Sequence, residues 1–259
     1  ASGAFSPVKV SGMQFANNDG QTYVVTGDDL YVTTATTTIR VGDGSSSGAS
    51  ITATLDTVLN DSTVTGGTAL VKSDAGTLII TKDQTYTGAT TISGGTLQLG
   101  NGGTGGRIST SSAIHNNGAL VVDHSDAVAL TQGIDGTGSL TQQGQGTTTL
   151  SAANSYTGAT TITAGTLALS GDGSIATSSG VHDNGVFDVS GSSSTTPSIA
   201  ALEGAGSVVL GANTLTLTNA NSSFGNVFSG VASGTGGLTV AGGTETLSGA
   251  NTYTGVTTV

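Results

Sequence analysis

The sequence predicts an all-β chain wound as a single-stranded parallel β-solenoid (β-helix), with about three short strands in each coil. Three observations predict it. A stretch of 25 residues at 76–100 returns at 146–170 and begins again at 243; long self-similarity marks a repeat architecture. Apolar residues come in two-residue beats, Leu78/Ile80, Leu97/Leu99 and Leu120/Val122, so both members of each pair face one side of a strand. Glycine supplies 43 of the 259 residues and proline only 2. That suits short strands joined by tight corners and argues against collagen or a proline-rich linker.

Composition narrows the function classes. Charged residues make up 8% of the chain, against roughly 25% in ordinary soluble domains. The net charge is −11, and the basic residues are only Lys9, Arg40, Lys72, Lys82 and Arg107, which form no cluster. Nucleic acids, heparin-like polyanions and anionic membrane surfaces are therefore poor partners. The absence of cysteine excludes disulfides and thiolate metal sites and is compatible with export through an oxidising compartment. No apolar run approaches the ~18 residues of a membrane-spanning helix. No signal peptide is visible, so Ala1 reads as a mature start.

In chain order, residues 1–75 read as less regular amino-terminal coils or a cap. Val8/Val10, Tyr23 to Val25, Leu30-Tyr31-Val32, Ile39-Arg40-Val41 and Ile51 to Leu55 are predicted strands, with turns at Gly20, Gly27 and Gly42-Asp43-Gly44. Residues 76–259 form the repeat proper, in units near 76–145, 146–212, 213–242 and a truncated 243–259. Tracking Ile80, Leu99, Val122 and Leu150 gives steps of 19, 23 and 28 residues, and Leu150, Leu169, Val189 and Leu217 give 19, 20 and 28. The 28-residue step predicts a coil carrying a bulged loop of about eight extra residues. His115-Asn116-Asn117-Gly118 matches His182-Asp183-Asn184-Gly185. The unit near 213 is degenerate, with Asn213 to Asn219 followed by Phe224-Gly225 near the Tyr-Thr-Gly position. Glycine at the corners supplies positive φ.

The pattern is fullest at 146–169: Gly146, Leu150-Ser151, Ala153-Asn154, Tyr156-Thr157-Gly158, Thr160-Thr161-Ile162, then Gly165-Thr166-Leu167 and Leu169. It resembles the passenger-associated transport repeat of autotransporter proteins. The copy at 76 departs from it at Lys82-Asp83-Gln84, where the pattern prefers a small residue, Ala or Gly, then Asn. The resemblance implies a right-handed β-helix passenger, secreted across a Gram-negative outer membrane by a carboxy-terminal translocator β-barrel of the same parent chain. That barrel is not within these residues, so a fragment of a longer cell-surface stalk is expected. It further implies adhesion, self-aggregation, biofilm formation or display of another domain. Partners would be a second passenger, or a host or surface glycan or protein.

Several individual motifs suggest chemistry of their own. Tyr86, Tyr156 and Tyr253 could line a sugar-binding stripe, but an aromatic with a polar tip better suits capping of the core at a corner. His115 and His182 read as turn residues rather than a metal pair. His124 beside Asp123 and Asp126 is at most a weak cation site. Gly100-Asn101-Gly102-Gly103-Thr104-Gly105-Gly106 lacks the lysine and helix of a phosphate loop and reads as a corner. Gly42-Asp43-Gly44-Ser45 and Gly171-Asp172-Gly173-Ser174 only superficially resemble a protease nucleophile loop. The pairs Asp28-Asp29 and Asp123/Asp126 are the candidate acid/base groups of a polysaccharide-degrading solenoid enzyme, the alternative reading, alongside a pure spacer. Thr52/Thr54, Thr147/Thr149, Thr161/Thr163 and Thr214/Thr216/Thr218 would serve ice or surface binding only if they shared one face. No catalytic, cofactor or metal-ligating set is assigned, and no binding residue is singled out.

Overall fold

A computed structural model describes residues 7–16, 22–109, 112–220 and 226–259. Gly20 and the Phe224-Gly225 element lie outside the described residues. The chain divides into two compact units, Ala1–Ala119 and Leu120–Val259. Each is a parallel β-solenoid: a strand pairs with its counterpart one coil earlier and one coil later. A 3₁₀ turn at Ser46–Ser50 interrupts the β structure of the first unit.

In the first unit one face stacks Thr22–Thr26, Thr52–Asp56, Thr77–Ile80 and Thr96–Gly103. Its inward columns are Ala53–Leu78–Leu97 and Leu55–Ile80–Leu99, all buried. A second face stacks Gly12–Phe15, Thr36–Val41, Ala69–Ser73, Thr90–Ile92 and Ile114–Asn116. The alternation of Leu, Ile or Val with Thr gives each strand one face to bury, and each buried aliphatic contributes roughly 1.5–3 kcal/mol.

The second unit has three faces. One stacks Ser139–Gln142, Thr160–Ile162, Val181–Asp183, Leu202–Gly204, Val227–Phe228 and Thr246–Leu247. The next stacks Ala127–Leu130, Thr147–Leu150, Thr166–Gly171, Val186–Ser192, Ser207–Gly211 and Val231–Gly234. The third stacks Ser198–Ile199, Leu215–Leu217, Leu238–Val240 and Thr257–Thr258.

This register corrects the coil lengths read from sequence. The expected 28-residue coil with a bulged loop is absent among the described residues. Leu150 stacks on Leu130, 20 residues earlier, and not on Val122, whose carbonyl accepts from Gln143 and Gly144. Leu217 stacks on Ile199 and Val240, on a different face from Val189. The supposed extra residues are strands of another face. An apolar beat marks every inward strand alike, so spacing alone cannot separate two faces of one coil from one face of two coils.

Equivalent repeat residues also change face. Leu150 lies in the column of Leu130 and Leu169, whereas its counterpart Leu247 lies under Phe228 on the neighbouring face. Thr160 stacks with Leu140 and Val181, whereas Thr257 stacks with Leu238. The distance from one copy to the next is not a whole number of coils.

Candidate binding surface

The recurring side-chain amide of the repeat points inward. Asn154 is buried; its Oδ1 accepts from Ile134 N (3.0 Å), and its Nδ2 donates to the carbonyls of Ala152 (2.9 Å) and Ser174 (3.0 Å). Asn251 repeats this, accepting from Ala232 N and donating to Gly249 O. In the first unit Gln84 takes the same part, accepting from Leu59 N (2.9 Å) and donating to Thr57 and Lys82 carbonyls. The departure at Lys82-Asp83-Gln84 thus preserves the amide. Each amide caps the preceding coil where strand pairing lapses.

Tyr86 and Tyr156 are buried, with their hydroxyls hydrogen-bonded to Thr90 (2.8 Å) and Thr160 (2.7 Å). Burial raises both phenol pKa values far above the ordinary range. Tyr253 makes the same bond to Thr257 at 2.6 Å, on a different face from Tyr156. No sugar-binding stripe of these tyrosines forms. The following glycine is required by close approach rather than by φ. A Cβ on Gly88, Gly158 or Gly255 would lie 2.5, 2.2 or 2.4 Å from a carbonyl oxygen of the preceding coil.

Two buried polar side chains were not read from sequence. Lys72, fully buried in the column Ile39–Lys72–Ile92, donates from Nζ to the carbonyls of Ser73, Asp74 and Gly94 at 2.8–3.0 Å. Desolvation lowers its pKa to about 8, partly opposed by the Asp74 charge. Gln142, at the matching position, donates to Gly144 and Gly146 carbonyls instead. Asp183 is fully buried; Gly185 N donates to its Oδ1 at 3.1 Å, and burial pushes its pKa up to about 7.

The histidines sit on strands, which corrects the turn reading. His115 lies in Ile114–Asn116 and His182 in Val181–Asp183, while the next residue, Asn116 or Asp183, points inward and makes the turn to Gly118 or Gly185. His182 pairs with Glu203 of the adjacent strand, Nδ1 to Oε1 2.7 Å, and Asn184 Nδ2 donates to its Nε2 at 2.6 Å. That bond leaves the ring proton on Nδ1. Glu245, on a later coil, has its pKa raised to about 7 by desolvation and by the Glu203 charge.

The remaining motifs disperse. His124 is buried with Nδ1 3.5 Å from Asp126, while Asp123 accepts from Gln143 on the next coil. Asp29 accepts from Asn60, and the Asp28 carbonyl accepts from Thr57. Asp43 is engaged by the Ser45 hydroxyl and amide, which hold its pKa below the usual value. At the glycine-rich corner, Gly106 N and Arg107 N donate to Asp83. Among the described residues no group of three or more His, Asp or Glu could hold a metal. The Thr-x-Thr pairs of the second unit fall on different faces, and hydroxyl columns arise from other combinations: Ser198–Thr216–Thr239–Thr258 runs outward in register. The first unit carries Thr22–Thr52–Thr77–Thr96.

Beside the first of these columns the surface opens into a cleft of about 320 Å³. The strands Thr166–Gly171 and Val186–Ser192 overrun the corner through a register shift that sets Ser170 against Gly191 and Gly171 against Ser192. The loops 171–174 and 192–198 then form two walls over Leu169 and Pro197. Ser193 ties the walls together: its amide donates to Gly171 O (2.7 Å), and its hydroxyl lies 2.8 Å from both Gly171 O and Asp172 Oδ1. Asn213 anchors the cleft from the next coil through the carbonyls of Val189 and Ser192.

Coils held by buried amides, with hydroxyl-rich outer columns, define a repetitive β-solenoid whose signature residues maintain the fold. The passenger-associated-transport-repeat matches residues 70–99, 140–169 and 242–259. Over 214 residues, 74% of this chain, the sequence is 38% identical to the adhesin BmaC autotransporter of Brucella suis biovar 1 (strain 1330). The chain spans 6% of the length of that relative. No solved structure matches it. The chain carries this passenger-associated repeat and over most of its length is similar to an autotransporter adhesin.

The matched segments have a structural meaning. Segments 70–99 and 140–169 each cover about one and a half coils and pair with themselves: Leu70 with Thr90 and Ile80 with Leu99, then Leu140 with Thr160 and Leu150 with Leu169. One repeat therefore contains its own strand pairing on two faces.

Proposed function

We propose that this segment is a non-catalytic part of an adhesive stalk at the bacterial cell surface, held at the outer membrane through its parent chain. Similarity to an autotransporter adhesin over three quarters of the chain carries the reading. The direction of the side chains supports it. The repeat's amides, tyrosines and inward threonines are engaged within the coils, which leaves the outward hydroxyl columns and the cleft to meet other molecules. Self-aggregation and biofilm formation would follow if those columns hydrogen-bond to a second passenger across a standard interface of about 1,600 Å².

The test is to display the parent protein on cells with and without this segment and to measure adhesion, settling and biofilm. Loss of any of these, with barrel insertion and export of the rest of the passenger intact, supports an adhesive segment. Unchanged adhesion and settling with normal export would make it a spacer. Release of reducing ends from glycans by the purified chain, abolished by substitution at Asp123 or Asp126, would favour the enzyme instead.

A further inference from the structure

From the cleft between loops 171–174 and 192–198, we infer that this chain binds a neutral saccharide there, with Asp172 as the principal acceptor. The inference rests on the adhesive reading and names a ligand class for it.

The hydrogen-bonding state of the walls carries the argument. Ser174 Oγ accepts from Ala176 N (3.3 Å), Ser192 Oγ from Ser194 N (3.2 Å), and Ser194 Oγ from Thr196 N (3.3 Å). Each serine has given a lone pair to the backbone, and among the described residues none has an acceptor for its own proton. These are hydroxyls set to donate. Asp172 has Oδ1 beside the Ser193 hydroxyl and keeps Oδ2 to accept. Sugar hydroxyls are donors and acceptors at once, so an array of donors flanking one carboxylate matches neighbouring hydroxyls on one ring.

Charge and shape exclude other classes. No lysine, arginine or histidine lines the cleft, so phosphate, sulfate and uronate would meet only the Asp172 charge. No aromatic wall is present for a planar ligand, and Leu169 and Pro197 offer only a small apolar floor, enough for the C–H face of a ring. The volume, about 320 Å³, sits at the small end of ligand clefts. The cleft is also framed: Ser193 links its walls, Asn213 holds it from the next coil, and Gly173 packs where a Cβ would lie 2.1 Å from Leu150 O. Ser198 belongs both to the cleft lining and to the outward hydroxyl column, so a longer glycan could continue onto Thr216.

The experiment uses the 259-residue chain and saturation-transfer NMR with cellotetraose, mannotetraose and a β-1,4-galactotetraose as probes, and calcium chloride as a competing cation. At least one neutral probe is expected to bind. Asp172→Ala should weaken that binding by about tenfold or more, since a charged hydrogen-bond acceptor is lost. The paired change Ser174→Ala with Ser194→Ala should weaken it several-fold. Asp172 and Ser194 are exposed and Ser174 is half-buried, and unchanged melting temperatures would show that the fold is kept. Three results overturn the proposal: no binding of any neutral probe at millimolar concentration, binding indifferent to Asp172→Ala, or an Asp172-dependent response to calcium without one to saccharide. Adhesion of cells displaying Asp172→Ala separates the two readings. Adhesion lost on deletion of the segment but kept by this variant overturns the cleft and leaves the adhesive stalk standing.

Discussion

Asn154 is a polar residue whose contribution is entirely internal. Replacing it with alanine leaves Ile134 N without its acceptor inside the coil, while the carbonyls of Ala152 and Ser174 lose the side-chain amide but keep backbone donors, Ser174 N and the amide of residue 154. An unsatisfied buried donor costs about 1–3 kcal/mol, so Asn154→Ala should lower stability by about 2 kcal/mol in urea unfolding, with no change in the slope. Glycines divide sharply by what surrounds them. At Gly158 an added Cβ would stand 2.2 Å from Gly138 O, whereas at Gly103 nothing lies within 4 Å. Gly158→Ala should cost about 2 kcal/mol or more, because backbone must shift. Gly103→Ala should stay within about 0.5 kcal/mol of the parent. Equal effects in thermal melts would mean that the corner relaxes freely and that the repeat's glycine answers to something other than coil-to-coil contact.

At the scale of the strand, the two unit types carry matched positions with different chemistry, and these set the pH response. Asp183 and Asn116 occupy equivalent sites, each accepting from the glycine two residues on at 3.1 Å. Only the aspartate titrates. Its folded pKa, about 7, lies above the unfolded value of 3.8, so the folded state binds the extra proton between them. The stability it contributes is present below about pH 4 and lost as pH rises through 7. Asp183→Asn should flatten that loss, though Glu245, shifted in the same direction, keeps part of the slope. Lys72 has the opposite sign: its folded pKa of about 8 is below 10.5, so stability rises from pH 8 upward. Lys72→Gln, which borrows the side chain of Gln142, should remove that rise between pH 8 and about 9.5, before unfolded tyrosines ionise. The strands themselves were legible because Leu78/Ile80 and Leu97/Leu99 alternate with polar residues, and Thr-Leu-x-Leu after Gly needs no partner to be read. Which face a strand joins was not legible, because Leu130 and Val122 carry the same beat in one coil. Nor were Lys72 and Asp183, whose types normally mark a surface; only the register, Ile39–Lys72–Ile92, turns one of them inward. The cleft escaped reading for a related reason. Its serines look like a polar loop until the register shift at Ala168/Ser170 places two loops face to face.

Over the molecule as a whole, the charge of −11 is carried by a chain with five basic residues, and three of these already pair, Arg40 with Asp74, Lys82 with Asp56 and Arg107 with Asp83. Like-charged copies repel one another before any hydroxyl column can meet its counterpart. The repulsion acts over a Debye length, ~30 Å at 0.01 M salt and ~8 Å at 0.15 M. Hydrogen bonds between Thr and Ser columns are short-ranged and little changed by salt. Self-association of the purified chain should therefore be weak at low ionic strength and strengthen as salt is raised toward physiological levels, then level off once the charge is screened. Sedimentation velocity across a salt series at fixed pH measures this directly. Association that falls with salt would require attractive charge pairs between copies, which the scattered basic residues do not readily provide. Association indifferent to salt would place the contact on an uncharged strip such as Ser198–Thr216–Thr239–Thr258, away from the Glu203 and Glu245 carboxylates. Changing Thr216 and Thr239 together to lysine would then abolish it, since each copy would bring like charges to the centre of the contact.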